Sequence, residues 1–293
     1  MKATGISKSF RKGTTTTFRV ENVSLLVERG KITALVGPNG SGKTTVVKML
    51  LGLLRPESGK VECDSRQGIG LLREGASNLF ELLTVRENLA YFCAIGGKAL
   101  SDERTQLLIG AFRLQPIMSR VVARLSRGQR QHISLAIALV LSSAYCVLDE
   151  PTIGLDIHSL SVLRTLLRQM ADNGVGILVV SHDMDFVESI CDRGYIMVAG
   201  RIVDCVDLDS ATQATATPFS VSRRLPAEPK GVNKPVSSGP RLVVTQITAA
   251  SLDELLNGLR SIPLSDIVAI RNDNLSIGGR YEHFIAGVSN DRD

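Results

Sequence analysis

The 293-residue chain contains no tryptophan, and aromatic residues make up only 4% of it. A stacking platform for single-stranded nucleic acid needs more rings than that. Dense blocks of Lys or Arg are also missing. The net charge of +5 is spread along the chain, so no basic arm for duplex DNA is present and nucleic acid is not an expected partner. The mild positive balance suits a solvated surface, an anionic ligand or an anionic membrane nearby. No apolar run reaches the ~18 residues that cross a bilayer, and the stretch from Met1 to Val20 is too polar for a secretion signal. Any membrane role is therefore expected to run through a partner. The cysteines, at 63, 93, 146, 191 and 205, are odd in number and include no C-x-x-C pair. That pattern fits reduced thiols, with Cys146 as core filler, better than a disulfide framework or a zinc site.

Hydrophobic residues amount to 44% of the chain, enough for a full core. Residues 1–208 read as alternating strands and helices. Lys31–Val36 is a β-rich apolar run that ends in a glycine-rich turn. Thr44–Leu54 follows with helical spacing. Ala144–Leu148 and Gly176–Val180 are short and continuously apolar, as in strands covered on both faces. Between them Ser159–Ala171 has helical spacing. Strand–helix–strand alternation predicts a mainly parallel sheet with right-handed crossovers. Residues from about 76 to 141 read instead as a helical insertion, with Thr84 and Glu87 forming a capping box and helices over Ser101–Leu114 and Gly128–Leu141.

Residues 209–240 are rich in Thr, Ala, Ser and Pro and are expected to be a flexible linker. Residues 241–293 read as a small α/β appendage. Its expected strands are Leu242–Ile247, Asp266–Ile270 and His283–Val288, and its expected helix is opened by Ser251 and Glu254.

The chemistry concentrates in three places. Gly37-Pro38-Asn39-Gly40-Ser41-Gly42-Lys43-Thr44, followed by Thr45, matches the phosphate-binding pattern G-x-x-x-x-G-K-[ST] between a predicted strand and a predicted helix. The glycines let successive backbone N–H groups turn toward one phosphate chain. Lys43 adds a full charge and Thr44 a hydroxyl for Mg²⁺. The second place is the apolar strand that ends in Asp149 and Glu150. Asp149 is placed to hold Mg²⁺ through water. Glu150 is placed to polarise an attacking water as general base. The third is Leu125-Ser126-Arg127-Gly128-Gln129, at the start of a helix just ahead of that acidic strand.

With that third motif the chain resembles the nucleotide-binding subunits of ATP-binding-cassette proteins, whose signature reads L-S-x-G-Q. The resemblance spans residues 1–208. It implies a RecA-like P-loop core with a helical subdomain, and the cofactors ATP and Mg²⁺. It also implies a homodimer that sandwiches two nucleotides, so that Ser126, Gly128 and Gln129 contact the γ-phosphate held on the partner copy. Leu155-Asp156 fits the loop through which the copies touch. His182 fits the switch histidine that senses the γ-phosphate. Phe10 sits where the family places a ring on adenine, with Phe18 as the other candidate. The family normally has a glutamine between the P-loop and the helical region. Here Glu74 is the expected occupant, and a carboxylate can still face Mg²⁺. The stretch from 75 to 88 resembles exporter subunits.

The expectation is an ATPase on the cytoplasmic face of the cell membrane, peripheral to it, which powers export through a separate permease. A soluble iron–sulfur assembly ATPase and a nucleotide-dependent regulatory module are the alternatives. No residue selects a transported substrate, because in such systems specificity lies mostly in the membrane subunit.

Overall fold

The computed structural model describes residues 1–12, 15–65, 68–73, 79–207, 217–225, 241–249, 267–272 and 277. The described residues fall into two compact units, the first over 1–207 and the second over 217–277.

The first unit is built on a six-stranded sheet. Its strands are β3 (Ile32–Val36), β5 (Ile69–Leu72), β6 (Tyr145–Asp149), β7 (Gly176–Val180), β8 (Arg193–Val198) and β9 (Arg201–Asp207), in the order β5-β6-β7-β3-β8-β9. All neighbours are parallel except β8 and β9, which form a hairpin. Every residue of β3, β6 and β7 is buried. This explains their unbroken apolar sequence, since helices and a second sheet leave no face for water. The connecting helices are α1 (Lys43–Leu50), α5 (Ile157–Asp172) and α6 (Met184–Ile190). On α5 the buried Leu163, Leu166, Leu167 and Met170 form one apolar stripe.

The second sheet of this unit departs from simple alternation. β1 (Lys2–Lys12) pairs antiparallel with both β2 (Thr15–Leu26) and β4 (Ser58–Glu62). Its inner residues Ala3, Ile6, Val20, Val23 and Leu25 share a core cluster with Val46, Met49 and Leu50 of α1 and with Val147, Leu178 and Met197 of the parallel sheet.

The insertion over residues 79–143 carries α2 (Val85–Ile95), α3 (Glu103–Ala111) and α4 (Arg127–Leu141), with short 3₁₀ turns at Gln115–Ile117 and Val122–Arg124. At α2 the Thr84 hydroxyl accepts from Glu87 N at 3.2 Å, and the Glu87 carboxylate accepts from Thr84 N at 2.7 Å. That is the expected capping box. Beyond its first turn α4 is buried almost throughout, from Ile133 to Val140. It is the pillar that joins the insertion to the parallel sheet.

In the second unit β10 (Thr217–Leu225) lies between β11 (Arg241–Ala249) and β12 (Ile267–Asn272) in an antiparallel sheet of order β11-β10-β12. The central strand comes from the stretch expected to be linker. The helix expected after Ser251 and the strand expected at His283–Val288 lie outside the described residues.

Candidate functional site

The site forms where β3, β6 and β7 end side by side. The Gly37–Gly42 loop leaves β3 and turns into α1. Gly40 and Gly42 have φ of 80° and 106°, a region closed to most side chains. Gly42 has no room either, since a Cβ there would come within 2.8 Å of the Phe18 ring. The first turn of α1 carries no acidic residue, so its positive end is left for an anion. Lys43 is buried, and its ammonium donates to the carbonyls of Gly37 at 2.7 Å and Pro38 at 3.0 Å. The Ser41 hydroxyl is buried as well and has no hydrogen-bond partner. A neutral loop carbonyl is a modest home for a lysine charge. Phosphate oxygens are a better one.

Opposite the loop, β6 delivers Asp149 and Glu150, only 7% and 6% exposed. Glu150 has a φ of 53°, rare for a side chain of its size. Its N–H donates to Val180 O at 2.8 Å, which ties this turn to the end of β7. The two residues after β7 complete the arrangement. His182 Nδ1 lies 2.9 Å from Glu150 Oε1, and the Ser181 hydroxyl donates to Glu150 Oε2 at 3.2 Å. Beneath them Cys146 is fully enclosed. Burial pushes its thiol up to about 12, so it stays protonated and acts as core filler.

Phe18, Asn39, Gly40, Gly42, Lys43, Thr44, Thr45, Asp149, Glu150 and His182 line one cavity of about 510 Å³. Two segments more than a hundred residues apart in sequence are thus brought to one place. Gly37, Pro38 and Ser41 belong to the same loop and shape it from behind. Phe18, the second of the two aromatic candidates, lies on the cavity wall. Phe10 stands behind it across the β1–β2 pairing, with ring centroids 6.2 Å apart and planes tilted by 34°. Glu74 lies outside the described residues.

Among the described residues the cavity wall includes none of Ser126, Gly128 or Gln129. These residues open α4 elsewhere on the surface. Ser126 and Gln129 form a second capping box: Ser126 Oγ accepts from Gln129 N at 3.2 Å, and Gln129 Oε1 accepts from Ser126 N at 3.1 Å. Sequence reasoning assigned both to phosphate and missed that box, although the spacing S-x-x-Q announces it. Gly128 abuts the loop after Glu150, where an added Cβ would lie 2.9 Å from Gly154 O. Gln131 Nε2 donates to Pro151 O at 3.3 Å. The start of α4 is therefore packed directly against the Pro151–Asp156 loop. Asp156 caps α5 by accepting from Ser159 N at 2.7 Å, and this bond holds its carboxyl below the usual range. Ser181 is the residue of the site that the motifs did not single out.

Chemically, this is a cradle for a polyphosphate with a lysine charge at its floor, two buried carboxylates facing it and an imidazole attached to one of them. Comparison with known proteins agrees. Residues 20–153 match the family described as ABC transporter. The chain is 33% identical over 217 residues to the lipopolysaccharide export system ATP-binding protein LptB of Haemophilus influenzae, covering 69% of this chain and 86% of that protein. It is 31% identical to the methionine import ATP-binding protein MetN 2 of Pectobacterium atrosepticum, covering 75% of this chain and 71% of that protein. A solved ATP-binding subunit of an ABC transporter superposes with a TM-score of 0.64 at 26% identity, covering 72% of this chain and 91% of that one. The loop, the paired carboxylates and these matches converge: the chain belongs to the ATP-binding-cassette transporter family, as one of its ATP-binding, ATP-hydrolysing subunits.

Proposed function

We propose that this ATPase works as a pair of identical copies and powers export through a separate integral-membrane permease, from the cytoplasmic face of the cell membrane. Lys43 and the N–H groups of the Gly37–Thr45 segment grip the triphosphate. Phe18, backed by Phe10, receives the adenine. Glu150 takes the proton of the attacking water. His182 keeps Glu150 oriented and reports the state of the γ-phosphate. Thr44 and Asp149 offer the hard oxygen donors that suit Mg²⁺, which uses few protein ligands beside phosphate oxygens. Bound there, the ion would neutralise the charge of the transferred phosphoryl group. Glu74 is proposed to face the same ion.

The observation that carries this reading is the separation of two half-sites. The cavity holds the P-loop, both carboxylates and His182, whereas Ser126, Gly128 and Gln129 stand off its wall with Ser126 exposed. A second copy, turned head to tail, brings those residues to the phosphate. ATP then closes the pair, and hydrolysis removes the group both copies grip, which is the order-driven switch common to nucleotide machines.

The helical insertion is proposed as the surface that meets the permease. It exposes Phe80, Leu82, Tyr91 and Ile95, with Leu82 89% exposed and the Phe80 and Tyr91 rings in edge contact at 4.9 Å. Exposed apolar side chains in mutual contact, as the Phe80 and Tyr91 rings are, suit a surface that meets a partner. No helix among the described residues is long and apolar enough to cross a membrane, so the channel is assigned to another chain. The resemblance of residues 75–88 to exporter subunits supports the outward direction, although the relatives include both an export and an import protein.

The test is affinity capture of the full chain from solubilised membranes, followed by ATP-dependent transport in inverted vesicles that carry the captured complex. Export predicts a co-purifying integral-membrane protein and substrate accumulation inside the inverted vesicles. Capture of soluble proteins only would overturn the transport reading.

A further inference from the structure

We propose that Ser181 is a positioning residue for hydrolysis, one that aims the Glu150 carboxylate. The proposal rests on Glu150 acting as the general base. The Glu150 side chain leaves a backbone in the left-handed region and ends in two oxygens with different partners. Oε1 faces His182 Nδ1 at 2.9 Å, and Oε2 accepts from the Ser181 hydroxyl at 3.2 Å. The two contacts differ in permanence. The His182 side chain is 62% exposed, so water and phosphate can compete for it. Ser181 is fully buried, and its hydroxyl has a fixed role, because it accepts from the N–H of Asp183 at 3.1 Å. A hydroxyl that accepts one bond along the chain has its own proton left to donate, and here the acceptor is Glu150.

The bond is itself braced. Asp183 caps α6 by accepting from Phe186 N at 3.0 Å. The turn Ser181–His182–Asp183 is thus pinned by the bond that Asp183 N–H donates to the Ser181 hydroxyl oxygen, typical of serine turns. At the other end Glu150 N is pinned to Val180 O at 2.8 Å. A closed loop of bonds runs from β6 through the carboxylate to the start of α6. When His182 turns toward a γ-phosphate, Ser181 is the contact that keeps the carboxylate aimed at the attacking water. Loss of aim costs rate rather than binding.

The experiment compares Ser181→Ala and Ser181→Cys with wild type in the full chain, by steady-state ATPase kinetics, fluorescent-nucleotide binding and thermal melting. Cysteine keeps the side-chain size but is a weak donor. Both variants are expected to lower kcat by roughly tenfold, the scale for one bond to a charged group. ATP KM and nucleotide affinity are expected to change less than twofold. Ser142→Ala is the control, because the Ser142 hydroxyl is equally buried and donates to Ala138 O at 2.7 Å, away from the site. It is expected to keep kcat within twofold. Wild-type kcat in Ser181→Ala or Ser181→Cys would overturn the proposal, as would a fall matched by Ser142→Ala at equal loss of melting temperature. Glu150→Gln run beside them separates the premise. If it still turns over, the general-base reading fails. If it is inactive while Ser181→Ala is not, only the Ser181 role fails.

Discussion

Lys43 carries the whole charge of the P-loop floor, and in this structure it satisfies itself on two loop carbonyls. Removing it leaves the glycine cradle intact but without its cation. Lys43→Ala is therefore expected to lower nucleotide affinity or turnover at least a hundredfold while folding normally. Isothermal titration with ATP and a coupled ATPase assay check this, and wild-type turnover would refute the assignment. Glu150 is the opposite case, because it lines the cavity with a carboxylate, which can accept a proton but cannot grip an anion. Glu150→Gln is expected to keep ATP affinity within a few-fold and to lose nearly all hydrolysis, the pattern of a lost transition-state interaction. The P-loop residues were legible because each is required by a local, contiguous pattern. Ser181 was not, because its partner lies 31 residues away and no spacing rule links a serine after one strand to a carboxylate after another. Sequence put Phe10 first for the adenine ring and Phe18 second, but sequence position does not say which of two upstream phenylalanines reaches the loop. Phe18 lines the cavity, and Phe10, its cross-strand partner on the same face of the sheet, stands beside it.

At the scale of elements, the helices that matter for the site are held at their first turns. The Thr84 box fixes where the insertion re-enters helix, and Thr84→Ala is expected to destabilise the fold by about 1 kcal/mol, measured by urea unfolding, with little effect on ATP binding. Gly128 is a tighter constraint. A methyl there meets Gly154 O and would wedge α4 away from the Pro151–Asp156 loop. Gly128→Ala is expected to spare nucleotide binding and to remove most turnover.

One turn further along α4, His132 packs on Phe112 with ring centroids 5.7 Å apart. Burial pushes its pKa down, with Asp156 opposing. Proton binding then favours the unfolded chain. The stability owed to neutral His132 is complete above the unfolded value of about 6.5 and is lost as the pH falls through and below it. Urea midpoints at pH 7.5 and 5.5 should therefore converge more closely in His132→Gln than in wild type. The helical and parallel elements were readable because their periodicity follows from burial. The β1–β2–β4 sheet was not, because its pairings, such as Lys2 with Leu26 and with Glu62, are long-range and its outer residues are polar. For β10 the Thr- and Ser-rich composition pointed to linker, yet a central strand of an antiparallel sheet needs pairing partners more than an apolar sequence.

For the whole molecule, the two half-sites predict an assembly that depends on nucleotide. Glu150→Gln with ATP and Mg²⁺ is expected to double in mass by light scattering, whereas the nucleotide-free protein stays monomeric. A monomer under both conditions would count against the sandwich. The motif order along residues 37–182 made the family legible in the sequence alone, since the P-loop, signature, acidic pair and histidine follow one another as the fold needs them. Ser126 and Gly128, which the resemblance assigns to the phosphate of a partner copy, stand off the wall of their own chain's cavity.

The left-handed backbone at Glu150 has a consequence for how this protein can change over time. A glutamate is the wrong residue for that conformation on conformational grounds alone, whereas glycine would rest there without strain. Glu150→Gly is expected to melt at or above the wild-type temperature and to hydrolyse nothing. A lineage or a laboratory selection that rewarded only heat resistance would be drawn to that substitution and would return a sturdy, inert cassette. Against that strain the glutamate has its bonds to Ser181 and His182 and the turnover proposed for it.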